Sequence, residues 1–255
     1  MQSFSRSVFV TCRTQSSRLP NKALLELPNG MTVIEFVLGR AKLVGNQFPV
    51  VLCTTTEESD DILASIAETQ GVFYFRGSTE DKLDRWLKAS ECFGVNYFAT
   101  FDADDLFCSP ELIREYLESC EASVFDLIKS STVIPGIFTY GIKVDSLKKV
   151  CDLKTSNKTE MMWDFFERVP DLQIGELKNI PAKFCRNNLR FTLDYQEDFE
   201  FFLEVFRNLG CDVDLSLDKI LEFLEKSPEV GNINAHRQMD YLTNQARIIE
   251  IERKG

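Results

Sequence analysis

Arg13, Arg18 and Lys22 stand close together in the segment 13–22, interleaved with Thr14, Gln15, Ser16 and Ser17. Arg6 precedes them, and no carboxylate occurs before Glu26, although the chain carries a formal net charge of -11. Guanidinium groups form charge-assisted, often bidentate bonds to phosphate oxygens, an ammonium acts as a compact point charge, and free loop N–H groups add partial positive charge. The pattern suits a polyphosphate. Charge alone suits a solvated surface loop equally well, since short basic motifs often arise without function. A second group is Asp102-Ala103-Asp104-Asp105. Acids at the end of an apolar run supply the oxygens that a hard cation bridging phosphates needs.

These residues need a frame. Val8 to Thr11 is an apolar, β-prone run that breaks off into the basic segment, so it reads as a strand feeding a loop. Thr32-x-x-Glu35 reads as a capping box, with Ile34, Val37, Leu38 and Ala41 following at helical spacing. Residues 49–55 are apolar on both faces, as in a central parallel strand. A helical pattern over 59–70 and a third strand over 72–75 complete βαβαβ. Ser78 or Thr79 is the expected cap of the next helix, with Leu83, Trp86 and Leu87 on its inner face. A fourth strand, 97–101, delivers the acids, and Ser109-Pro110 opens the helix after them. From 126 to 186 the periodicity is irregular; 125–129 could form a strand, and Met161, Met162, Trp163, Phe165 and Phe166 make a patch suited to core packing or a dimer contact. Leu189 to Leu193 predicts a last strand ending in Asp194, then a helix burying Phe199, Phe202, Leu203 and Phe206.

Composition sets bounds. A chain of 255 residues, 44% hydrophobic and 27% charged, can form one large α/β domain or two small ones, and with no repeat or low-complexity linker a single domain over 1–255 is the simplest division. No apolar run approaches the roughly 20 residues of a membrane span and the N-terminus lacks a signal-peptide core, so a cytoplasmic location without a membrane partner is expected. Eight cysteines lie scattered without a C-x-x-C pair, and His236 is the single imidazole, which argues against zinc and for buried thiols in a reducing compartment. The acidic balance argues against nucleic acid. One nucleotide held by a few local cations remains allowed.

The string Arg13, then Ser16-Ser17-Arg18-Leu19-Pro20-Asn21-Lys22, resembles the Arg-x-x-Ser-Thr-Arg-Leu-Pro-Gly-Lys signature of the cytidylyltransferases that activate 3-deoxy sugar acids, acylneuraminates and spore-coat polysaccharide precursors. Gln15 and Asn21 stand where such proteins have Gly, and Asn tolerates the left-handed conformation. Phe75-Arg76-Gly77-Ser78 through Asp81-Lys82-Leu83-Asp84-Arg85 resembles the spore-coat-type Phe-Arg-Gly-Ser-x-x-Asp-x-Leu-Asp-Arg. Asp104 to Ile113 looks like Gly-Asp-x-Pro-Leu-Ile-Asp-Pro-Glu-Leu-Ile, Arg190 to Phe199 is similar to Arg-x-Thr-x-Asp-Thr-x-Glu-Asp-Leu, and the tail from Ser227 to His236 fits the same type.

This resemblance implies an α/β, three-layer Rossmann-like nucleotide-diphospho-sugar transferase fold with a mixed, mostly parallel central sheet. It implies transfer of CMP from CTP to a sugar acid or related polysaccharide precursor, with Mg²⁺ as cofactor and release of pyrophosphate. Arg13, Lys22 and Asp104 would be the catalytic groups, and Arg13, Ser17, Arg18, Lys22 and Ser78 the nucleotide contacts. Asp104 and Asp194 fall on the metal-binding acids, and Asp102 is an extra acid giving Asp-x-Asp. Residues 126–188 match a region that related enzymes use for acceptor binding or dimer formation, so a homodimer is expected. Two other readings stay open: a glycosyltransferase holding a nucleotide sugar through Asp102 and Asp104, and a nucleotide-binding module without catalysis. The basic loop favours nucleotidyl transfer, because a leaving pyrophosphate needs cations.

Overall fold

The computed structural model describes residues 3–16, 18–119, 125–186 and 188–253. A seven-stranded sheet runs in the order β3-β2-β1-β4-β6-β5-β7. Its members are β1 (Arg6–Thr11), β2 (Val50–Thr55), β3 (Phe73–Gly77), β4 (Tyr97–Asp102), β5 (Leu127–Lys129), β6 (Tyr140–Lys143) and β7 (Ile174–Glu176). β1 pairs in parallel with β2 and β4, and β2 with β3. β6 runs antiparallel to both β4 and β5, while β5 and β7 are parallel. The mixed, mostly parallel α/β fold expected from the sequence is therefore observed.

Alternation along the strands builds the three layers. Val8, Val10, Val50, Leu52, Ala99 and Phe101 face one apolar core, which takes in residues of α1 (Val33–Lys42), α2 (Asp61–Thr69), α4 (Pro110–Ser119), α7 (Gln196–Leu209) and α8 (Leu217–Lys226). Their neighbours Phe9, Val51, Cys53 and Phe98 face a second core with α3 (Lys82–Phe93), α5 (Val144–Leu153) and α6 (Met162–Glu167). Strands buried on both faces have to be apolar throughout, which is why β1, β2 and β4 read so clearly. The fully buried Trp86 and Phe98 lie edge to face at 5.6 Å, and burying each such ring contributes about 1.5–3 kcal/mol. The patch at 161–166 proves to be α6, with Met162, Phe165 and Phe166 in the second core and Trp163 only half-buried.

Two expectations are corrected. The cap of α3 is Asp81, whose carboxylate accepts from the Asp84 N–H at 3.0 Å; Ser78 Oγ accepts from Asp81 N and so starts the turn before it. Residues 189–193 form no strand. Leu189, Phe191 and Leu193 do alternate into the first core, but the Phe191 and Leu193 N–H groups donate to Pro135 and Asp104 carbonyls instead of to a ladder. Gly136 permits that approach: its φ is +96°, and a Cβ there would sit 2.2 Å from the Phe191 carbonyl oxygen. The chain ends in α9 (Pro228–Ala235) and α10 (Arg237–Glu252). No helix among the described residues is long and apolar enough to cross a membrane.

Candidate active site

The carboxyl ends of β3, β1, β4 and β5 and the start of β6 share one edge of the sheet, the place where open α/β sheets bind ligands. The basic loop leaves β1 there. Thr14 anchors it: its N–H and hydroxyl both donate to Asp60 Oδ1, at 2.8 and 2.6 Å, and Asp60 Oδ2 accepts from Thr55 at 2.5 Å and Thr54 at 3.2 Å. Burial alone would raise the Asp60 pKa, but these hydrogen bonds outweigh it and hold the carboxyl below its ordinary value. Asn21 takes the left-handed conformation at φ 56°, the geometry that tolerates Asn in place of Gly, and the short turn Lys22–Leu24 follows.

That turn carries Lys22 into the site. Its ammonium donates to Asp104 Oδ2 at 2.6 Å, to the Leu193 carbonyl at 2.7 Å and to Asp194 Oδ1 at 3.1 Å, which uses all three of its protons. Burial works against the charge, yet Asp104 and Asp194 outweigh it and push the pKa up. Arg18 Nη2 reaches Asp194 Oδ1 at 2.5 Å and Arg190 Nη2 reaches Asp194 Oδ2 at 2.7 Å. Asp194, only 1% exposed, thus stands among three cations; against the opposing effect of burial, Lys22, Arg18 and Arg190 hold its carboxyl far below the usual range. Arg190 is fixed in turn by Asp198, whose Oδ2 also accepts from the N–H groups of Asp194 and Tyr195.

Asp102, Asp104 and Asp105 each offer a carboxylate oxygen within 4.8 Å of the others, the only such metal-type group among the described residues. Asp105 is buried, accepts from Thr139 at 2.9 Å, and is pushed well up by burial and then by the neighbouring charges of Asp104 and Asp102. Asp102 is also raised, by burial first, with Lys82 opposing. Asp194 is not in this group.

Arg13 is exposed, with Nη1 3.4 Å from the Thr79 carbonyl, so the loop after β1 touches the loop after β3. There the buried Arg85 donates to the Ser78 carbonyl at 2.6 Å, and Gly77 makes room, since a Cβ on it would lie 3.1 Å from Arg85 Cγ. The predicted site residues therefore fall in two places. Arg18, Lys22, Asp104 and Asp194 meet through direct ion pairs, with Asp102 beside Asp104, whereas Arg13 and Ser78 lie toward β3. Ser17 lies outside the described residues.

A family model described as cytidylyltransferase matches residues 7–249. The chain belongs to the cytidylyltransferase family. It is accordingly a nucleotidyltransferase of the CTP-using class, which sets the glycosyltransferase and binding-module readings aside. It is 24% identical to the spore coat polysaccharide biosynthesis protein SpsF of Bacillus subtilis, over 87% of this chain and 95% of that protein. A cytidylyltransferase structure from Leptospira borgpetersenii superposes with a TM-score of 0.80 at 21% identity, covering 89% of this chain and 97% of that one. CMP:2-keto-3-deoxy-manno-octonic acid synthetase complexed with CTP gives 0.60 at 15% identity, covering 80% and 99%.

In this cytidylyltransferase-family chain, sequence reasoning missed three residues at the site. Asp60 is 46 positions from the Thr14 it anchors, so no local pattern announces it. Lys82 pairs with Asp102 at 3.1 Å, while Asp105, named in the acid run, does complete the group. Tyr241 of α10 lays its ring 4.5 Å from the Arg190 guanidinium and 6.0 Å from that of Arg18. Its helix crosses from this end, where Gln238 accepts from Arg190, to α6, where Arg253 pairs with Asp164 and Glu252 accepts from the Glu160 N–H.

Proposed function

We propose that the protein transfers CMP from CTP to a sugar acid or related precursor of a cell-surface polysaccharide, releasing pyrophosphate. The observation that carries the reading is Lys22, which joins the basic loop to both Asp104 and Asp194. Such a transfer needs little covalent chemistry from the protein: an acceptor oxygen attacks the α-phosphorus in line while fixed cations meet the charge growing on the leaving pyrophosphate. Arg18 and Lys22 are held at the loop by their acids, and Arg18 Nε is buried with no hydrogen-bond partner, a donor suited to a phosphate oxygen. Arg13, exposed and joined only loosely to Thr79, can turn to the same phosphates.

The acid group fits a hard divalent cation, since Asp102, Asp104 and Asp105 present oxygen ligands close together. Asp104 with Asp102 would hold Mg²⁺, and Asp194 would join them as its cations turn to the nucleotide. Bound there, Mg²⁺ polarises the α-phosphate and neutralises charge in the transition state. Ser78, whose hydroxyl accepts from Asp81 N and keeps its own proton, would contact the nucleoside.

The acceptor would occupy the other half of the edge, where Tyr140 opens β6 and Lys129 closes β5. Lys129 pairs with Glu167 at 2.6 Å and lies over the Trp163 ring at 5.3 Å, so a cation is available there for an acidic acceptor. Residues 126–188 would thus serve acceptor binding. The exposed Met239, Leu242 and Ile251 on α10 support a homodimer. Pyrophosphate release with CTP, Mg²⁺ and a panel of sugar acids and phosphosugars tests the reading. Release only with sugar acids bears it out; no release with any acceptor refutes it.

A further inference from the structure

Two residues that lie outside the motif positions meet at the centre of the site. Asp102 is the extra acid ahead of Ala103-Asp104, and Lys82 occupies the unrestricted position between Asp81 and Leu83-Asp84-Arg85. Lys82 Nζ lies 3.1 Å from Asp102 Oδ1, and the two side chains are only 17% and 15% exposed. The ammonium lies over the Trp86 ring at 4.8 Å, and Trp86 Nε1 donates to Thr11 Oγ1 at 2.8 Å, at the end of β1. Laid on an indole and rooted in the first residue of α3, this lysine is already oriented before any ligand binds.

The acids therefore have an ammonium from each of two segments, Lys22 from the basic loop on Asp104 and Lys82 from the start of α3 on Asp102. A nucleoside triphosphate presents unequal charges: the pyrophosphate portion carries several, the α-phosphate one. The basic loop, with Arg18 and Lys22 at Asp194 and Asp104, matches the larger charge, and Lys82, reaching Asp102 from the first residue of α3, matches the smaller. Asp102 takes one of the three ammonium protons, which leaves two for a phosphate oxygen. On the nucleotidyl-transfer reading above, on which this inference rests, we propose that Lys82 is a catalytic residue that binds the α-phosphate. As the bond from the acceptor oxygen to the α-phosphorus forms and the bond to pyrophosphate breaks with its electron pair, Lys82 keeps its proton and stabilises the charge on the α-phosphate oxygens.

Titration calorimetry with CMP and with inorganic pyrophosphate, each with Mg²⁺, separates the two ends of the nucleotide. Lys82→Met is expected to weaken CMP by about tenfold or more, the scale of one charge-assisted bond, and to leave pyrophosphate within about twofold. Lys82→Arg, which keeps the charge, is expected to restore most of the CMP affinity. In an Asp102→Asn background the Lys82→Met loss should persist; its disappearance would mean that Lys82 serves only to neutralise Asp102, and would overturn the proposal. Unchanged CMP binding, or equal loss of both ligands, would overturn it as well. A wild-type protein that bound neither ligand would bring down the nucleotidyl-transfer reading itself, whereas one that bound both while Lys82→Met kept both would leave that reading standing without Lys82.

Discussion

Asp104 and Asp194 look equivalent as acids at the ends of extended segments, but their surroundings make their alanine variants differ. Asp194 is 1% exposed and faces Arg18, Lys22 and Arg190; Asp104 is 27% exposed and faces Lys22. Removing one partner of a buried ion pair costs about 3–5 kcal/mol, because the other charge stays behind. In Asp194→Ala, Arg190 keeps Asp198 and Lys22 keeps Asp104, so the lower end applies, about 3 kcal/mol. At about 2–4 °C per kcal/mol for a chain of this size, the melting temperature should fall by roughly 6–12 °C. In Asp104→Ala, Lys22 retains Asp194 and the Leu193 carbonyl, so the loss should stay at about 1 kcal/mol, a fall of about 2–4 °C. Both variants should lose on the order of a hundredfold in pyrophosphate release, about 2.7 kcal/mol of transition-state stabilisation. Thermal scans paired with the release assay measure the two effects separately. An Asp194→Ala protein that melts with the wild type would refute the structural half of the reasoning; near-normal turnover in Asp104→Ala would refute the metal half.

Arg18→Ala should weaken all four nucleoside triphosphates alike, since phosphates carry no base information, whereas Ser78→Ala should narrow the gap between CTP and UTP by about 1–2 kcal/mol; competition binding that showed the reverse pattern would mean the loops have been assigned the wrong way round. Asp60 has a depressed pKa, so its contribution to stability is present above the unfolded value of about 3.9 and is lost as pH falls through the folded one. Asp60→Asn should therefore flatten the acid limb of the stability profile below roughly pH 4, and a limb as steep as the wild type's would contradict the anchoring role. Light scattering at micromolar concentration should give a dimer mass, and a monomer mass would remove the basis for an interface on α10.

What was legible depended on how local its cause is. β1, β2 and β4 are buried on both faces, so their composition declares them; β5 falls within the run 125–129 that read as a possible strand, whereas β6 and β7 are four and three residues long and owe their existence to partners in other segments. Arg18, Lys22 and the acids at 102–105 were readable because short spacings carry them, while Asp60, Lys82 and Tyr241 acquire their roles only when separate segments meet. The segment 189–193 shows the limit most clearly. Its alternation is genuine, with Leu189, Phe191 and Leu193 in the core and Arg190, Thr192 and Asp194 turned the other way, but alternation reports one-sided burial and says nothing about a ladder. Because its N–H groups go to Pro135 and Asp104, the segment is not held in register by a neighbouring strand. Leu193 can then donate to the Asp104 carbonyl while its own carbonyl accepts from Lys22, and the next residue is Asp194. A pattern that looked like one more strand thus sets the second acid opposite the first, with the loop lysine between them.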